Sequence, residues 1–398
     1  MFLLTAFISI FIYCLFIVVF YANLKRHEPV TVKHQIPVSI VCSARNEEDN
    51  LPHFLNALLK QQYDLSLVQI IIADDCSSDR TAEILKTWSS RFPDFSCFTA
   101  QGRNQVLSAK KNALGQAIQK AKYNILLSTD ADCIPQENWI NGMVDAYVRN
   151  EDAEMVVGFS ETELKNDKLV NAQKNAFLWF HYPFSVLFEH FDFMTLMFAT
   201  SASVNAGLYF SCSGQNLSFR KSAFNDVGGY EPIKQYISGD DLHLMQLFKQ
   251  HKKHIVFANN SDGRVKTKAI TSLYKLFNQR SRWASNMKFM VFSNPLFFVY
   301  LLSVFFVLTL IPALLFLNFS IGVLLFSLKI VMDSIFIQRG YKDFQLWSRM
   351  SGEGIVAGLN FWTLMITWSV FQPVYTMIVA VSGFFSLFKW KDRKGFKK

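Results

Sequence analysis

Charge is scarce in this sequence. Asp, Glu, Lys and Arg make up 18% of its 398 residues, against 51% hydrophobic residues and 40 phenylalanines. So apolar a composition excludes a disordered chain and argues against one dissolved wholly in water. Cysteine is sparse as well: Cys14, Cys42, Cys76, Cys97, Cys133 and Cys212 are scattered, with no Cys-x-x-Cys pair. That speaks against a disulfide framework or a zinc cluster and fits a reducing compartment. There is no internal repeat and no low-complexity linker. The first residues lack the basic start and small-residue cleavage site of a secretory signal peptide, so the opening apolar segment reads as a retained anchor.

The net charge of +9 is concentrated in two places. Lys389–Lys398 holds six Lys/Arg against one Asp, and Lys25, Arg26 and Lys33 stand against Glu28. Both clusters flank apolar segments, as expected of cytoplasmic anchoring to anionic headgroups. A nucleic-acid groove needs basic residues spread over a folded surface, so nucleic acid is rejected as a partner.

Residues 1–24 contain no charged residue and, at about 36 Å as a helix, are long enough to cross a bilayer. Two further uncharged runs, Pro295–Leu328 and Gly354–Phe388, are each too long for one ordinary span. Pro312 is the expected break in the first, which extends through Ile337 only at the cost of Lys329 and Asp333. Pro373, after Gln372, is the expected break in the second. With the middle region and the basic tail 389–398 both cytoplasmic, the membrane region 295–388 should cross an even number of times.

Residues 35–292 read as a water-facing α/β domain. Strand candidates Val38–Cys42, Gln69–Ala73, Asn124–Ser128 and Glu154–Gly158 alternate with helix candidates Asn50–Gln61, Thr81–Phe92 and Ser108–Lys122, a pattern of parallel strands joined by crossover helices. The aromatic stretch Ala176–Phe198 carries His181, Glu189, His190 and Asp192. It suits either an interfacial helix or a core helix pair.

Ligands of open α/β sheets bind beyond the carboxyl ends of the strands, and acidic residues gather there. Gln69–Ala73 leads into Asp74 and Asp75, with Asp79 placed to cap the next helix. Asn124–Ser128 leads into Asp130-Ala131-Asp132. Two carboxylates one residue apart can hold a divalent ion whose shell phosphate oxygens complete.

The order of motifs resembles the family 2 glycosyltransferases, membrane enzymes of the GT-A type that use nucleotide sugars. The matching elements are Pro37–Val41 leading into Ala44-Arg45-Asn46-Glu47-Glu48, then Asp74–Thr81, Lys110-Lys111, Asp130-Ala131-Asp132 and Gly214–Arg220. Gly228-Gly229-Tyr230, Ser238-Gly239-Asp240-Asp241 and Gln279-Arg280-Ser281-Arg282-Trp283 follow. Gln-x-x-Arg-Trp is the most discriminating and points to the branch of polysaccharide synthases and ceramide glucosyltransferases. The resemblance implies a GT-A, Rossmann-like nucleotide-sugar domain with flanking transmembrane helices.

It also implies roles. Ala44, Arg45, Asn46, Glu47, Asp74 and Asp75 would contact the nucleoside. Asp130 and Asp132 would hold Mg²⁺ or Mn²⁺ on the diphosphate, where Lys110 or Lys111, Gln279, Arg280 and Arg282 would add donors. Trp283 would stack on the acceptor, a lipid or a saccharide. Asp241 is the expected general base, although the family's Glu-Asp is Asp240-Asp241 here, which keeps Asp240 a candidate. The family's usual glycine in the nucleoside loop is Cys76.

Two other classes fit the sequence less well. A transporter with a soluble domain leaves the motif series unexplained, and a non-catalytic nucleotide-sugar-binding protein has no need of the full set of carboxylates. Within the enzyme reading, transfer of one or a few sugars to a lipid competes with processive polymer synthesis. The few membrane segments favour the former, at the inner membrane with the catalytic domain cytoplasmic.

Overall fold

Local sequence explains where the elements start and stop. Val-Ser-Ile-Val-Cys-Ser-Ala forms β1 (Val38–Ala44) and Val-Gln-Ile-Ile-Ile-Ala-Asp forms β2 (Val68–Asp74), runs whose branched side chains suit a strand buried on both faces. Between them α2 (Leu51–Leu59) begins with a proline in its first turn. α3 (Thr81–Trp88) follows β2, β3 (Phe95–Thr99) follows α3, and α4 (Ala109–Lys120) starts where Ser108 Oγ accepts from the Lys111 N–H. β4 (Ile125–Ser128), β5 (Cys133–Pro135), α5 (Trp139–Arg149), β6 (Met155–Val157) and β7 (Ser160–Glu163) come next. After α6 (Phe184–Asn205) the chain makes β8 (Leu217–Arg220), α7 (Lys221–Asp226), α8 (Asp240–Gln250), β9 (Ile255–Phe257) and β10 (Val265–Lys268). It ends in α9 (Leu273–Ala284), α10 (Met290–Ser293), α11 (Pro295–Leu317), α12 (Phe319–Asp343) and α13 (Ile355–Phe384). This computed structural model describes residues 1–102, 108–163, 182–236, 238–347, 355–390 and 393–394.

The chain divides into two units. One, residues 27–161 and 211–268, is the α/β unit. Its seven-stranded sheet has the order β3-β2-β1-β4-β8-β6-β9. β3, β2, β1 and β4 run parallel, as the alternation of strand and helix candidates predicts, and β8 runs antiparallel between β4 and β6. Ala44 pairs with Asp74 and Val41 with Ser128, so β1, β2 and β4 deliver their carboxyl ends to the same edge. A small antiparallel pair, β5 with β10, registers Pro135 against Val265. The core holds Val38, Ile40, Ile70, Ile72, Leu127, Trp139 and Phe54, each at most 1% exposed. Asn216 ties it together, accepting from Trp139 Nε1 at 3.0 Å and donating to the carbonyls of Phe159 and Gly263.

The other unit, residues 1–26, 162–210 and 269–398, is helical. Among the described residues four of its helices are long and apolar enough to cross a membrane: α1, α11, α12 and α13. Along α1, Ala6, Ile10, Tyr13, Phe16, Ile17 and Phe20 are buried while Leu4, Ile8, Phe11, Leu15 and Val18 are exposed. A helix apolar on both its packed and its open face suits a lipid surrounding.

Several expectations are corrected here. Pro312 and Pro373 lie inside α11 and α13 and break neither. The break in the first run falls at Asn318, whose Oδ1 accepts from the Ile321 N–H at 3.3 Å and so starts α12. Among the described residues three such helices follow residue 294, and most of the basic tail 389–398 lies outside the described residues.

α12 does absorb Lys329 and Asp333, because the two side chains pair at 2.6 Å with 2% exposure each. Tyr13 of α1 donates to Asp333, and Lys329 donates to Gln372 Oε1 of α13 at 2.8 Å. Of the aromatic stretch, Ala176–His181 lies outside the described residues. The rest begins α6, which is buried through Leu187, Phe188, Glu189, His190, Phe191 and Asp192. It is a core helix of its unit, with Phe191 ringed by Tyr341, Phe361 and Trp368.

Candidate active site

The segments leaving β1 and β2 are laced together. The N–H of Asn46 donates to Ser77 Oγ at 3.0 Å, and Ser78 N–H donates back to Asn46 Oδ1 at 2.9 Å. Glu47 N–H reaches Thr81 Oγ1, and Glu48 N–H reaches Asp79 Oδ2. Asp79 also accepts from the Thr81 N–H at 3.0 Å, the capping role expected of it. Cys76 has φ +52°, the left-handed region that glycine favours, which accounts for the glycine of the family pattern at this position. Asp74 is 4% exposed and turned inward, accepting from Ser77 N–H at 3.0 Å, so it shapes the loop. Asp75 pairs with Arg45 Nη1 at 3.4 Å, and its N–H is held by the carbonyl of Ala44.

β4 ends at Ser128, and Thr129–Asp132 make a turn into β5 that closes with Cys133 N–H donating to the Asp130 carbonyl at 3.1 Å. Asp130 opens on a cleft whose lining includes Ser43, Lys110, Thr129, Gly214, Tyr230, Asp240 and Asp241. Lys110 Nζ sits between two carboxylates, 2.8 Å from Asp130 Oδ1 and 3.5 Å from Asp240 Oδ2. Burial works against its ammonium, yet Asp130 and Asp240 outweigh that and raise its pKa. Asp241 lies in the first turn of α8, where the helix dipole favours a carboxylate. Its Oδ2 accepts from the Gly214 N–H at 2.6 Å. Burial and the charge of Asp240, opposed by Lys110, push its carboxyl up to about 6.

The donor set suits a hard divalent cation. Desolvation and the charges of Asp130 and Glu47 push the Asp132 carboxyl up to about 6, the mark of crowded carboxylates with too little positive charge among them. Among the described residues no group of three or more His, Cys, Asp or Glu gathers to hold a metal. Two carboxylates on one turn fit Mg²⁺ or Mn²⁺, which take the rest of their shell from phosphates and water, better than a closed zinc site.

Two sequence expectations are overturned by burial. Lys111 points away from the cleft: it is 0% exposed, donates to the backbone carbonyls of Ile233 and Tyr236, and has its pKa lowered to about 8 by desolvation. Arg280 is 4% exposed and buried among side chains of its own unit. Its Nε lies 3.2 Å from Asp192 Oδ2 and 3.2 Å from Tyr375 Oη, and its Nη2 lies 3.7 Å from Glu189 Oε1. Burial pushes Glu189 up to about 7 against the pull of Arg280. α9 can bring Arg280 this close to α13 because Gly383 has no side chain; a Cβ there would stand 2.8 Å from the Ser281 carbonyl oxygen. Trp283 lies under the Arg280 guanidinium at 4.3 Å. Gln279 accepts from Arg280 Nη1 at 3.0 Å, and Arg282 is partly exposed on the same helix.

Sequence reading missed Ser43, Thr129 and Tyr230 as lining residues. Tyr230 follows Gly228 and Gly229, whose φ of +80° and +60° make the turn that brings its ring to the cleft. The signal was present in the Gly-Gly-Tyr spacing.

Comparison with known proteins agrees with this geometry. Residues 39–228 match the family model for glycosyl transferase family 2, and residues 179–388 match that for glycosyl transferase family group 2. The glycosyltransferase AglE of Haloferax volcanii is 23% identical over 227 residues, covering 57% of this chain and 66% of that protein. The poly-beta-1,6-N-acetyl-D-glucosamine synthase of Staphylococcus epidermidis is 26% identical over 199 residues, covering 49% of this chain and 42% of that protein. The chain thus spans 42% to 66% of the length of these curated relatives. The mannosyltransferase PcManGT of Pyrobaculum calidifontis, solved with GDP-Man and Mn²⁺, superposes with a TM-score of 0.55 at 13% identity, over 96% of this chain and 99% of that one. Its likeness is one of fold. Because the family group 2 match alone takes in more than half of the chain, the protein belongs to the family 2 glycosyltransferases and carries their GT-A fold.

Proposed function

We propose that the protein is a membrane-embedded, inverting glycosyltransferase that moves a sugar from a nucleotide-sugar donor, UDP-linked, to a lipid or saccharide acceptor. The observation that carries this reading is the convergence of Lys110, Asp130, Asp240 and Asp241 on one cleft at the carboxyl ends of the strands. The nucleoside lies on the laced loops, against Ala44, Arg45, Asn46, Glu47 and Asp75, with Asp74 holding their shape. Asp130 and Asp132 would hold Mg²⁺ or Mn²⁺, which would offset charge on the departing diphosphate. Lys110 adds a point charge at the same end of the cleft.

Asp241 is the base. Its raised pKa makes it a better proton acceptor than an ordinary carboxylate, whereas Lys110 sits against Asp240. The acceptor oxygen attacks the anomeric carbon and Asp241 takes its proton. The bond from that carbon to the phosphate oxygen breaks, and the nucleoside diphosphate leaves with the electron pair. One displacement inverts the anomeric centre. The catalytic unit is cytoplasmic and the four apolar helices lie in the inner membrane, which the basic flank Lys25-Arg26 after α1 supports.

The likeness to poly-N-acetylglucosamine synthases favours a second reading, extension of a saccharide chain. Detergent-purified protein given a panel of nucleotide sugars with Mg²⁺ or Mn²⁺ tests both. Turnover of one donor, lost in Asp241→Asn, is the expected result, and product mass separates single transfer from polymer. Absence of turnover with every donor, or full activity in Asp241→Asn, would refute the mechanism.

A further inference from the structure

Lys110 and Lys111 are neighbours in the first turn of α4, about 100° apart around the helix, so they cannot face the same place. Lys110 faces the cleft with 26% of its side chain exposed. Lys111 is wholly buried. An ammonium taken out of water is unfavourable unless hydrogen bonds replace the lost hydration. Lys111 finds them in two backbone carbonyls, Ile233 at 2.5 Å and Tyr236. Both belong to the segment that leads directly into Gly239, Asp240 and Asp241.

That segment has a second attachment. The ring of Tyr236 stacks on His243 of α8 with centroids 3.9 Å apart and planes 16° from parallel. The approach to the acidic pair is therefore gripped by a lysine of α4 and by a ring of the helix that the pair begins. Lys110, one residue earlier on α4, faces Asp240 itself.

We propose that Lys111 is a positioning residue for sugar transfer, holding the 233–236 segment so that Asp241 meets the acceptor hydroxyl. This rests on the reading of Asp241 as the base. Without the Lys111 donors, the carbonyls of Ile233 and Tyr236 lose the ammonium that ties them to α4, Ile233 keeping only the Tyr236 N–H of its own turn. The donor contacts at Asp130, Asp132 and Lys110 are left in place.

The test compares Lys111→Met, which keeps the stem and removes the donors, with Lys111→Arg, which keeps a cationic donor, in the full-length protein in detergent. Lys111→Met is expected to lower kcat about ten- to hundred-fold, the scale of a misplacement of about 1 Å, with donor KM and the calorimetric Kd for UDP unchanged. Lys111→Arg is expected to recover much of kcat. Wild-type kcat in Lys111→Met overturns the proposal. So does a parallel loss of UDP binding, which would make Lys111 a donor contact. Failure of both variants to fold, read from thermal unfolding, overturns it too, because Lys111 would then be a brace of the fold alone. Asp241→Asn separates the two readings. If that variant stays active, the base assignment fails. If it is inactive while Lys111→Met is unimpaired, only the positioning role fails.

Discussion

The backbone N–H of Gly214 donates to Asp241 Oδ2 at 2.6 Å, so the chain entering β8 sets the direction of a carboxylate on α8. Built onto Gly214, a Cβ would stand 3.2 Å from that same oxygen, with other atoms of Asp241 next nearest. The glycine provides both the donor and the room for its acceptor.

Gly214→Ala should therefore push the Asp241 carboxylate aside by a few tenths of an ångström without disturbing the sheet. A fall in kcat of about tenfold, with an unchanged unfolding temperature, is the expected result. Steady-state kinetics alongside a thermal melt checks it, and an unaltered kcat would show that Asp241 has no need of that alignment.

The acid limb of activity should report Asp241. With its carboxyl at about 6, kcat/KM should fall as pH drops through that value, because the protonated acid cannot accept a proton. The charge of Asp240 raises this pKa and that of Lys110 lowers it. Asp240→Asn should thus move the limb down toward the ordinary carboxylate value of about 4, and Lys110→Met should move it up. Shifts in the reverse directions in the pH profiles would assign the limb elsewhere.

Chelation should abolish transfer, and Mg²⁺ or Mn²⁺ should restore it. Asp132→Asn should weaken Mn²⁺ binding in the presence of UDP, measured by calorimetry, by removing one of the two carboxylates on the turn. Undiminished Mn²⁺ affinity in that variant would move the cation off Asp132.

Within the helical unit, Lys329→Met leaves Asp333 buried at 2% exposure without its cation. Removing one partner of a buried pair costs about 3–5 kcal/mol. Lys329→Met with Asp333→Leu should recover much of that loss. Thermal unfolding in detergent distinguishes the two. A double variant no better than the single would mean that Asp333 needs Tyr13 more than it needs Lys329.

Phe191 is enclosed by Tyr341, Phe361 and Trp368. Phe191→Ala should destabilise the helical unit by about 3–5 kcal/mol, as deletion of a buried ring does. A surface position on α6 would instead tolerate the change, and the yield of monodisperse protein decides between them.

Much of the α/β unit was legible because its signals are local. Alternating apolar runs and amphipathic stretches give β1, β2, β4 and the helices between them to within a residue or two at most ends. The acidic residues follow the strand ends, and Asp130-Ala131-Asp132 falls on the turn expected of it. Pro312 and Pro373 misled for the opposite reason. A proline marks a break only where nothing else supports the helix, and neighbouring helices in a membrane-type bundle supply that support.

The sequence by itself determined the kinds of element, the clustering of carboxylates at strand ends, the apolar segments and the family, since each depends on spacing along a few residues. Only the tertiary structure decided which charged side chains are available for chemistry. Lys110 and Lys111 are adjacent and chemically identical, yet one opens on the cleft and the other is buried against backbone carbonyls. Arg280, which belongs to the most discriminating motif, is taken up by Asp192, Glu189 and Tyr375 from elements far away in sequence. A long side chain's availability depends on what meets it across space, and no spacing along the chain encodes the carbonyl or carboxylate that folding brings within 3 Å.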